Sequence, residues 1–310
     1  MSLKLVANKP FIDPFTVRKR NPETKSEPVA TDDSIPTATN QIYDYIAQYL
    51  GRVGDDRHVN RASAASRCYK QRWYQRNGFP GEPLTPRVIV NFTLGDLSEH
   101  TVKFFIKNGC VGPGKLYSEV DFGNRVGSFP VQGGREIEIF DQPDLLAQIG
   151  EINVSAHVDG WGKRNSDGKW ELIEVKSAAD YGFEEFKEQG PGDYLKQAMV
   201  NLQTDRAKEL GADGVRFFYI KKNTGSLWDR FFPFDRELAS DVATEYQLAA
   251  SDEEPKAPYV PKIETFRSKP TGRKVLEWRC SYCPYKQHCY EKRGKLSLEM
   301  KNGKPIWVVT

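Results

Sequence analysis

Residues 152–159 run Ile-Asn-Val-Ser-Ala-His-Val-Asp, apolar and polar in alternation, the period of two that predicts a strand with one wet face. Residues 170–176, Trp-Glu-Leu-Ile-Glu-Val-Lys, predict a second strand, and Asn165-Ser166-Asp167-Gly168 between them carries turn residues. The two are expected to pair as a hairpin. Elsewhere the period lengthens: Leu94, Leu97, Phe105 and Ile106 recur at helical spacing, with Gly109 as the stop. A helix opening at Tyr194 is expected to end near Leu210-Gly211. Val215–Ile220 and Leu227–Phe232, joined by Asn223-Thr224-Gly225, predict another hairpin, and Arg236–Ala250 a closing helix. Gln41–Leu50 and Asn60–Asn77 also read as helical.

Composition places these elements in a globular chain. At 310 residues there is room for one large domain with extensions. Residues 1–40, with Asn21-Pro22-Glu23-Thr24 and Ile35-Pro36-Thr37, read as a mobile arm. Residues 41–87 form a helical segment, 88–251 a core, 252–270 a connector rich in Pro and Lys, and 271–310 a C-terminal subdomain. No run of about eighteen apolar residues offers a membrane span, and Met1 to Phe15 lacks the apolar stretch of a signal peptide. A cytoplasmic location is expected.

The hairpin carries the candidate chemistry. Side chains two apart on a strand share a face, so His157 and Asp159 stand together on one strand and Glu174 and Lys176 on the next. Asp159 and Glu174 offer hard oxygen ligands suited to Mg²⁺ or Mn²⁺. His157 would add a nitrogen that favours Mn²⁺, and Val175 lies between the two polar residues of its strand. Lys176, while protonated, orients a water and offsets developing negative charge instead. Such a set suits phosphodiester hydrolysis, in which divalent ions polarise the phosphoryl oxygen and generate hydroxide.

Asp159, fourteen residues, then Glu174-Val175-Lys176 resembles the motif of the PD-(D/E)xK nuclease superfamily. Gly95 followed by Glu99 and His100 resembles the first motif of its RecB-like branch, in which a helix carries an acid or His toward the metals. Gln197 in Tyr194-Leu195-Lys196-Gln197-Ala198-Met199-Val200-Asn201 resembles the branch's Q-x-x-x-Y motif, with Asn201 where the family usually has Tyr. The resemblance implies an α/β fold: a restriction-endonuclease-like core, with a central mixed sheet flanked by helices. It also implies catalytic Asp159, Glu174, Lys176 and Gln197, with metal held at Glu99, His157, Asp159, Glu174 and Val175.

Three of the five cysteines lie in Cys280-Ser281-Tyr282-Cys283-Pro284-Tyr285-Lys286-Gln287-His288-Cys289, a metal-ligand spacing rather than a disulfide framework. Cys68 is the candidate fourth ligand. One cysteine before the core and C-x2-C-x5-C after it resembles the AddB-type and CRISPR-associated RecB-like nucleases. That implies a [4Fe-4S] cluster on Cys68, Cys280, Cys283 and Cys289, held by a module formed from N- and C-terminal segments. A structural Zn²⁺ on Cys280, Cys283, His288 and Cys289 is the alternative. Cys110 is left to pack as a small hydrophobe.

Net charge is only +3, but residues 61–76 hold four Arg and one Lys with no acid, and residues 262–295 hold ten basic residues against three acidic. Arg61, Arg67, Arg72, Trp73 and Arg76 are candidate DNA contacts, the cations for phosphates and the indole for stacking. The expected activity is exonucleolytic cleavage of single strands or duplex ends in recombination, repair or replication, with a recombination or replication protein as possible partner. Phages and CRISPR systems carry small stand-alone nucleases of this kind. A structure-specific or restriction-type endonuclease, and a DNA-end-binding partner with little activity, are the alternatives.

Overall fold

The computed structural model describes residues 41–42, 45, 60–83, 85–131, 134–266, 269–290, 294–301 and 304–309, all but the first within the unit Ile42–Thr310. The arm expected over residues 1–40 and most of the helix expected over Gln41–Leu50 lie outside them. A short 3-10 turn (Ala62–Ala64) leads into helices α1 (Tyr69–Arg76) and α2 (Pro86–Gly109). Strands β1 (Tyr117–Asp121), β2 (Arg125–Val131), β3 (Arg135–Phe140), β4 (Leu145–Ile149), β5 (Ile152–Ala156), β6 (Gly160–Arg164) and β7 (Trp170–Ala178) follow. Helices α3 (Asp180–Gln189), α4 (Tyr194–Asn201) and α5 (Asp205–Leu210) connect to β8 (Gly214–Lys221) and β9 (Leu227–Pro233), and then to α6 (Arg236–Ala250). The C-terminal part comprises β10 (Lys262–Phe266), β11 (Lys269–Val275), α7 (Trp278–Ser281), α8 (Lys286–Tyr290), β12 (Leu296–Lys301) and β13 (Lys304–Val309).

A five-stranded mixed sheet, ordered β1-β6-β7-β8-β9, forms the centre. Only β7 and β8 pair in parallel, which requires the long crossover that α3 to α5 supply. Both strands are buried along most of their length, because helices cover both faces. Leu172, Val215, Phe217 and Tyr219 pack with Phe183 of α3, Ala198 and Met199 of α4 and Ala239 of α6. Ile173, Val175 and Phe218 pack on the other side with Val102 and Ile106 of α2. The expected strands Val215–Ile220 and Leu227–Phe232 and the helix Arg236–Ala250 are all present.

The hairpin partner of β7 differs from the expected one. The strand containing residues 152–156 stops at Ala156 and pairs with β4, whereas β6 begins at Gly160 and pairs with β7, Gly160 opposite Ile173 and Gly162 opposite Glu171. His157 and Asp159 therefore lie on a link between two strands rather than on one strand face. The physical reason is aromatic cover. A Cβ on Gly160 would stand 2.3 Å from the Phe122 ring and one on Gly162 2.5 Å from the Tyr117 ring, so only a glycine-bearing strand admits those rings.

Helix boundaries shift for equally local reasons. Of the helix expected over Asn60–Asn77, only Tyr69–Arg76 and the 3-10 turn form, because Arg61 bridges to Ser155 in extended conformation and Cys68 stands at the α1 N-cap. The helix expected from Tyr194 to Gly211 breaks after Asn201, and Thr204 restarts it by accepting the Ala207 N–H at 3.3 Å. In α2 the buried residues are Ile89, Val102, Lys103 and Ile106, while Leu94, Leu97 and Phe105 remain 47%, 46% and 48% exposed. The connector expected over 252–270 gives way at Lys262 to β10, an edge of the four-stranded sheet β10-β11-β13-β12.

Glu171 anchors the side of the central sheet away from α4. Wholly buried, it accepts from Tyr117 Oη at 2.6 Å, Arg164 Nη1 at 3.2 Å and Arg216 Nε at 2.7 Å. Removing it leaves a phenol and two guanidinium groups facing apolar protein. Glu171→Ala is expected to destabilise the fold by about 3 kcal/mol, read as a lower urea midpoint with unchanged slope; an unchanged midpoint would show that Asp213 and Asp229 suffice for the two arginines.

Candidate active site

Four segments meet beside the middle of β7. Asp159, just ahead of β6, turns its carboxylate back so that Oδ2 accepts the Val175 main-chain N–H at 2.6 Å. Its Oδ1 accepts from Gln142 Nε2 at 2.8 Å, and the same amide donates to Glu99 Oε1 of α2 at 2.8 Å. Glu174 Oε1 accepts from Lys176 Nζ, two residues along the strand, and from Gln197 Nε2 of α4 at 3.2 Å. Glu174 Oε2 is buried without a hydrogen-bond partner. The expected residues Glu99, Asp159, Glu174, Val175, Lys176 and Gln197 thus come together, although the strand pairing expected to bring them there was different.

His157 stands apart. Its Nε2 lies 3.0 Å from Asp144 Oδ1, across an open cleft that Glu99, His100 and Asp141 also line. Asn201, where the resembled motif has Tyr, is fully buried with neither amide atom hydrogen-bonded. Gln142 and Lys103 were not anticipated. Lys103 is wholly buried, its Nζ 2.5 Å from Glu99 Oε1; its i,i+4 spacing from Glu99 was visible in the chain. Gln142 lies on the loop after β3 and carried no signal.

Burial governs the electrostatics. It pushes Asp159 up to about 6, with the Glu99 charge adding to the effect, and Glu174 up to about 7, with the Asp159 charge adding. Burial would also depress Lys176, but the Glu174 and Asp159 carboxylates outweigh it and hold the ammonium above its ordinary value. The Lys176 ammonium stands 5.2 Å from the centre of the Tyr194 ring. Among the described residues, no three His, Cys, Asp or Glu side chains stand in a metal-holding arrangement; here an ammonium, two amides and a main-chain N–H occupy the carboxylate oxygens. The donor set nevertheless fits a hard cation, since Glu174 keeps one buried carboxylate oxygen without a partner.

The four cysteines of the expected module, Cys68, Cys280, Cys283 and Cys289, line a single cavity of about 220 Å³. None of the five cysteines is disulfide-bonded. Burial, then the neighbouring thiols, pushes Cys283 up to about 12 and Cys280 to about 11. The four thiols share this cavity without standing in a metal-holding arrangement. His288, the alternative zinc ligand, faces away: its Nε2 is 2.9 Å from the Pro80 carbonyl and its ring packs edge-on to Phe79. Cys110 packs at the edge of the α2 core cluster, as expected.

The expected DNA contacts divide. Arg72 is buried, 4.4 Å over the Tyr246 ring and 3.3 Å from Glu245, and Trp73 is buried with its indole N–H on the Ser251 carbonyl at 2.9 Å. Both are corrected to structural residues, because α1 packs on α6 and needs that face. Arg61, Arg67 and Arg76 are exposed. Of the aromatics in the basic segments, Tyr74, Tyr285 and Tyr290 are buried while Tyr282 is 82% exposed at the cavity rim.

No family model matches this chain, and no curated protein matches it. Among solved structures it is similar to the crystal structure of SSO0001, at 13% sequence identity and a TM-score of 0.40, over 81% of this chain and 94% of that one. That likeness is too distant to bear on the chemistry. Among the described residues no helix is long and apolar enough to cross a membrane.

The two raised acids give a pH signature. Unfolded carboxyl groups titrate near 4, so between about pH 4 and 7 the folded chain keeps protons that the unfolded chain has lost, and stability falls as pH rises. The double variant Asp159→Asn, Glu174→Gln has no such carboxyls. Its melting temperature relative to wild type, without added metal, is expected to rise steadily from pH 4 to 7; a difference independent of pH would return both acids to ordinary titration.

Proposed function

We propose that this chain is a metal-dependent deoxyribonuclease of the RecB-like PD-(D/E)xK type, built on a restriction-endonuclease-like core and shortening DNA from single strands or duplex ends. The observation that carries this reading is the meeting of Asp159, Glu174 and Lys176 beside the middle of β7, with Glu99 and Gln197 reaching them from two helices. Such an array has little use as a stabilising device, since buried carboxyls without full pairing cost stability.

Glu99, Asp159, Glu174 and the Val175 main chain would hold Mg²⁺ or Mn²⁺, which polarises a phosphoryl oxygen and lowers the pKa of water. The Val175 N–H fixes the Asp159 carboxylate in orientation. Lys176, kept protonated by two carboxylates, places a positive charge beside the attacked phosphate and a donor beside the attacking water. Gln197 holds the Glu174 carboxylate against rotation, and Lys103 neutralises Glu99 from the buried side. The cysteine cavity would hold a [4Fe-4S] cluster, a support for the two chain segments around it rather than a participant in cleavage.

The test is end-labelled DNA, linear and circular, single- and double-stranded, with Mg²⁺ or Mn²⁺. Shortening from ends is expected; cutting of circles would indicate an endonuclease, and binding without cutting an end-binding protein. Asp159→Ala, Glu174→Ala and Lys176→Ala should each lower turnover on the order of 100-fold or more while remaining folded. Glu99→Gln should demand more Mn²⁺ for the same rate. Full activity of a folded Lys176→Ala protein would remove Lys176 from the mechanism. Protein purified without oxygen should be brown with about four iron atoms per chain, and Cys68→Ala should lose the iron and melt lower, whereas Cys110→Ala should do neither. A colourless protein with one zinc, indifferent to Cys68→Ala, would replace the cluster with the zinc site.

A further inference from the structure

Helix α4 carries two of the contacts that define the candidate site: the Tyr194 ring beside Lys176 and the Gln197 amide on Glu174. Its first turn is held in an unusual way. Asp193 stands at the N-cap, where a carboxylate ordinarily accepts helix N–H groups, yet its side chain caps nothing. Asp193 Oδ2 instead lies 2.5 Å from Arg279 Nη2. Arg279 belongs to α7, immediately before Cys280, and also donates to Tyr259 Oη at 3.2 Å and lies 5.5 Å over that ring. Asp193 and Arg279 line both the cysteine cavity and the neighbouring hollow that reaches Tyr194.

A second tie reaches the same turn from the other cysteine-bearing segment. Lys196 Nζ is 2.6 Å from Glu245 Oε1, and Glu245 Oε2 is 3.3 Å from Arg72 Nη2 on α1, the helix that Cys68 begins. Both stretches of chain that supply cysteines to the cavity are therefore ion-paired, directly or through Glu245, to the first turn of the helix that touches Glu174 and Lys176.

We infer that Arg279 and Asp193 are positioning residues through which the cysteine module sets the placement of α4 against the Glu174–Lys176 pair. The effect on turnover rests on the nuclease reading; the mechanical tie does not. A short charge-assisted pair between half-exposed groups contributes little to global stability but fixes direction, and a shift of about 1 Å at a catalytic contact costs roughly 100-fold in rate.

The experiment uses the full chain as Arg279→Asp, Asp193→Arg and the double exchange of both. Hydrogen exchange of the segment 193–202 is measured for each, with α6 as internal reference, and cleavage of single-stranded DNA is followed under saturating Mn²⁺. Each single variant should speed exchange in 193–202 several-fold while leaving α6 unchanged, and should lower kcat about tenfold with KM little moved. The double exchange should restore both. Should a single variant fail to fold, Arg279→Gln and Asp193→Asn remove the charges without reversing them and should show the same local loss. Unchanged exchange in 193–202 in folded variants would overturn the inference, as would loss not recovered in the double exchange. A wild-type protein that does not cleave DNA, with the exchange pattern as expected, would sink the nuclease reading and leave the tie standing.

Discussion

Dehydration of acidic side chains is the constraint from which the rest of the structure follows. Asp159 and Glu174 are nearly without solvent, and charge in such surroundings is costly unless opposed. Each neighbour answers that cost: the Val175 N–H and Gln142 on Asp159, Lys176 and Gln197 on Glu174. β7 and the crossover helix α4 place all of those neighbours but Gln142, which comes from the loop after β3. On the far side of the same strand Glu171 meets the same problem with two arginines and a tyrosine, and there every carboxylate oxygen is engaged. One acid of β7 is fully compensated, and the other keeps Oε2 bare. That difference separates a structural carboxylate from one with spare capacity for a cation.

Much of this was legible in the chain. The apolar runs of β7 and β8, the turn at residues 223–225 and α6 were written in local pattern, and so were Asp159, Glu174 and Lys176 as a group. The pairing that unites them was not. Gly160-Trp161-Gly162 has little strand propensity, and its role depends on Phe122 and Tyr117 lying over it, contacts far apart in the chain. Arg72 and Trp73 looked like a nucleic-acid surface because sequence shows charge and aromaticity but not which face a helix buries; α6 decides that. Gln142 was invisible for a similar reason, since a loop glutamine acquires meaning only when Glu99 and Asp159 arrive on either side of it.

The cysteines illustrate the intermediate case. Their spacing marked a local group of three, and Cys68 stood as the candidate fourth only because such chemistry takes four ligands. In the fold Cys68 stands at the α1 N-cap and lines the same cavity as Cys280, Cys283 and Cys289, while Trp73 and Tyr74 of α1 pack against Tyr285. His288, adjacent in sequence to Cys289, is drawn instead to Phe79 and the Pro80 carbonyl, because successive residues on a helix face different directions.

The cavity between α1 and α8 is lined by residues more than two hundred positions apart in the chain. During synthesis the Cys68 segment leaves the ribosome well before its partners, and at translation rates of about 5 to 20 residues per second it waits ten seconds or more. Over that interval Trp73 and Tyr74 have no aromatic cover from Tyr285, and α1 rests on α6 and on Ser251 and Glu254 once those have emerged. A chain cut short before residue 280 would hold the central sheet yet leave that aromatic surface open, a feature by which quality-control chaperones and proteases could tell an unfinished molecule from a finished one.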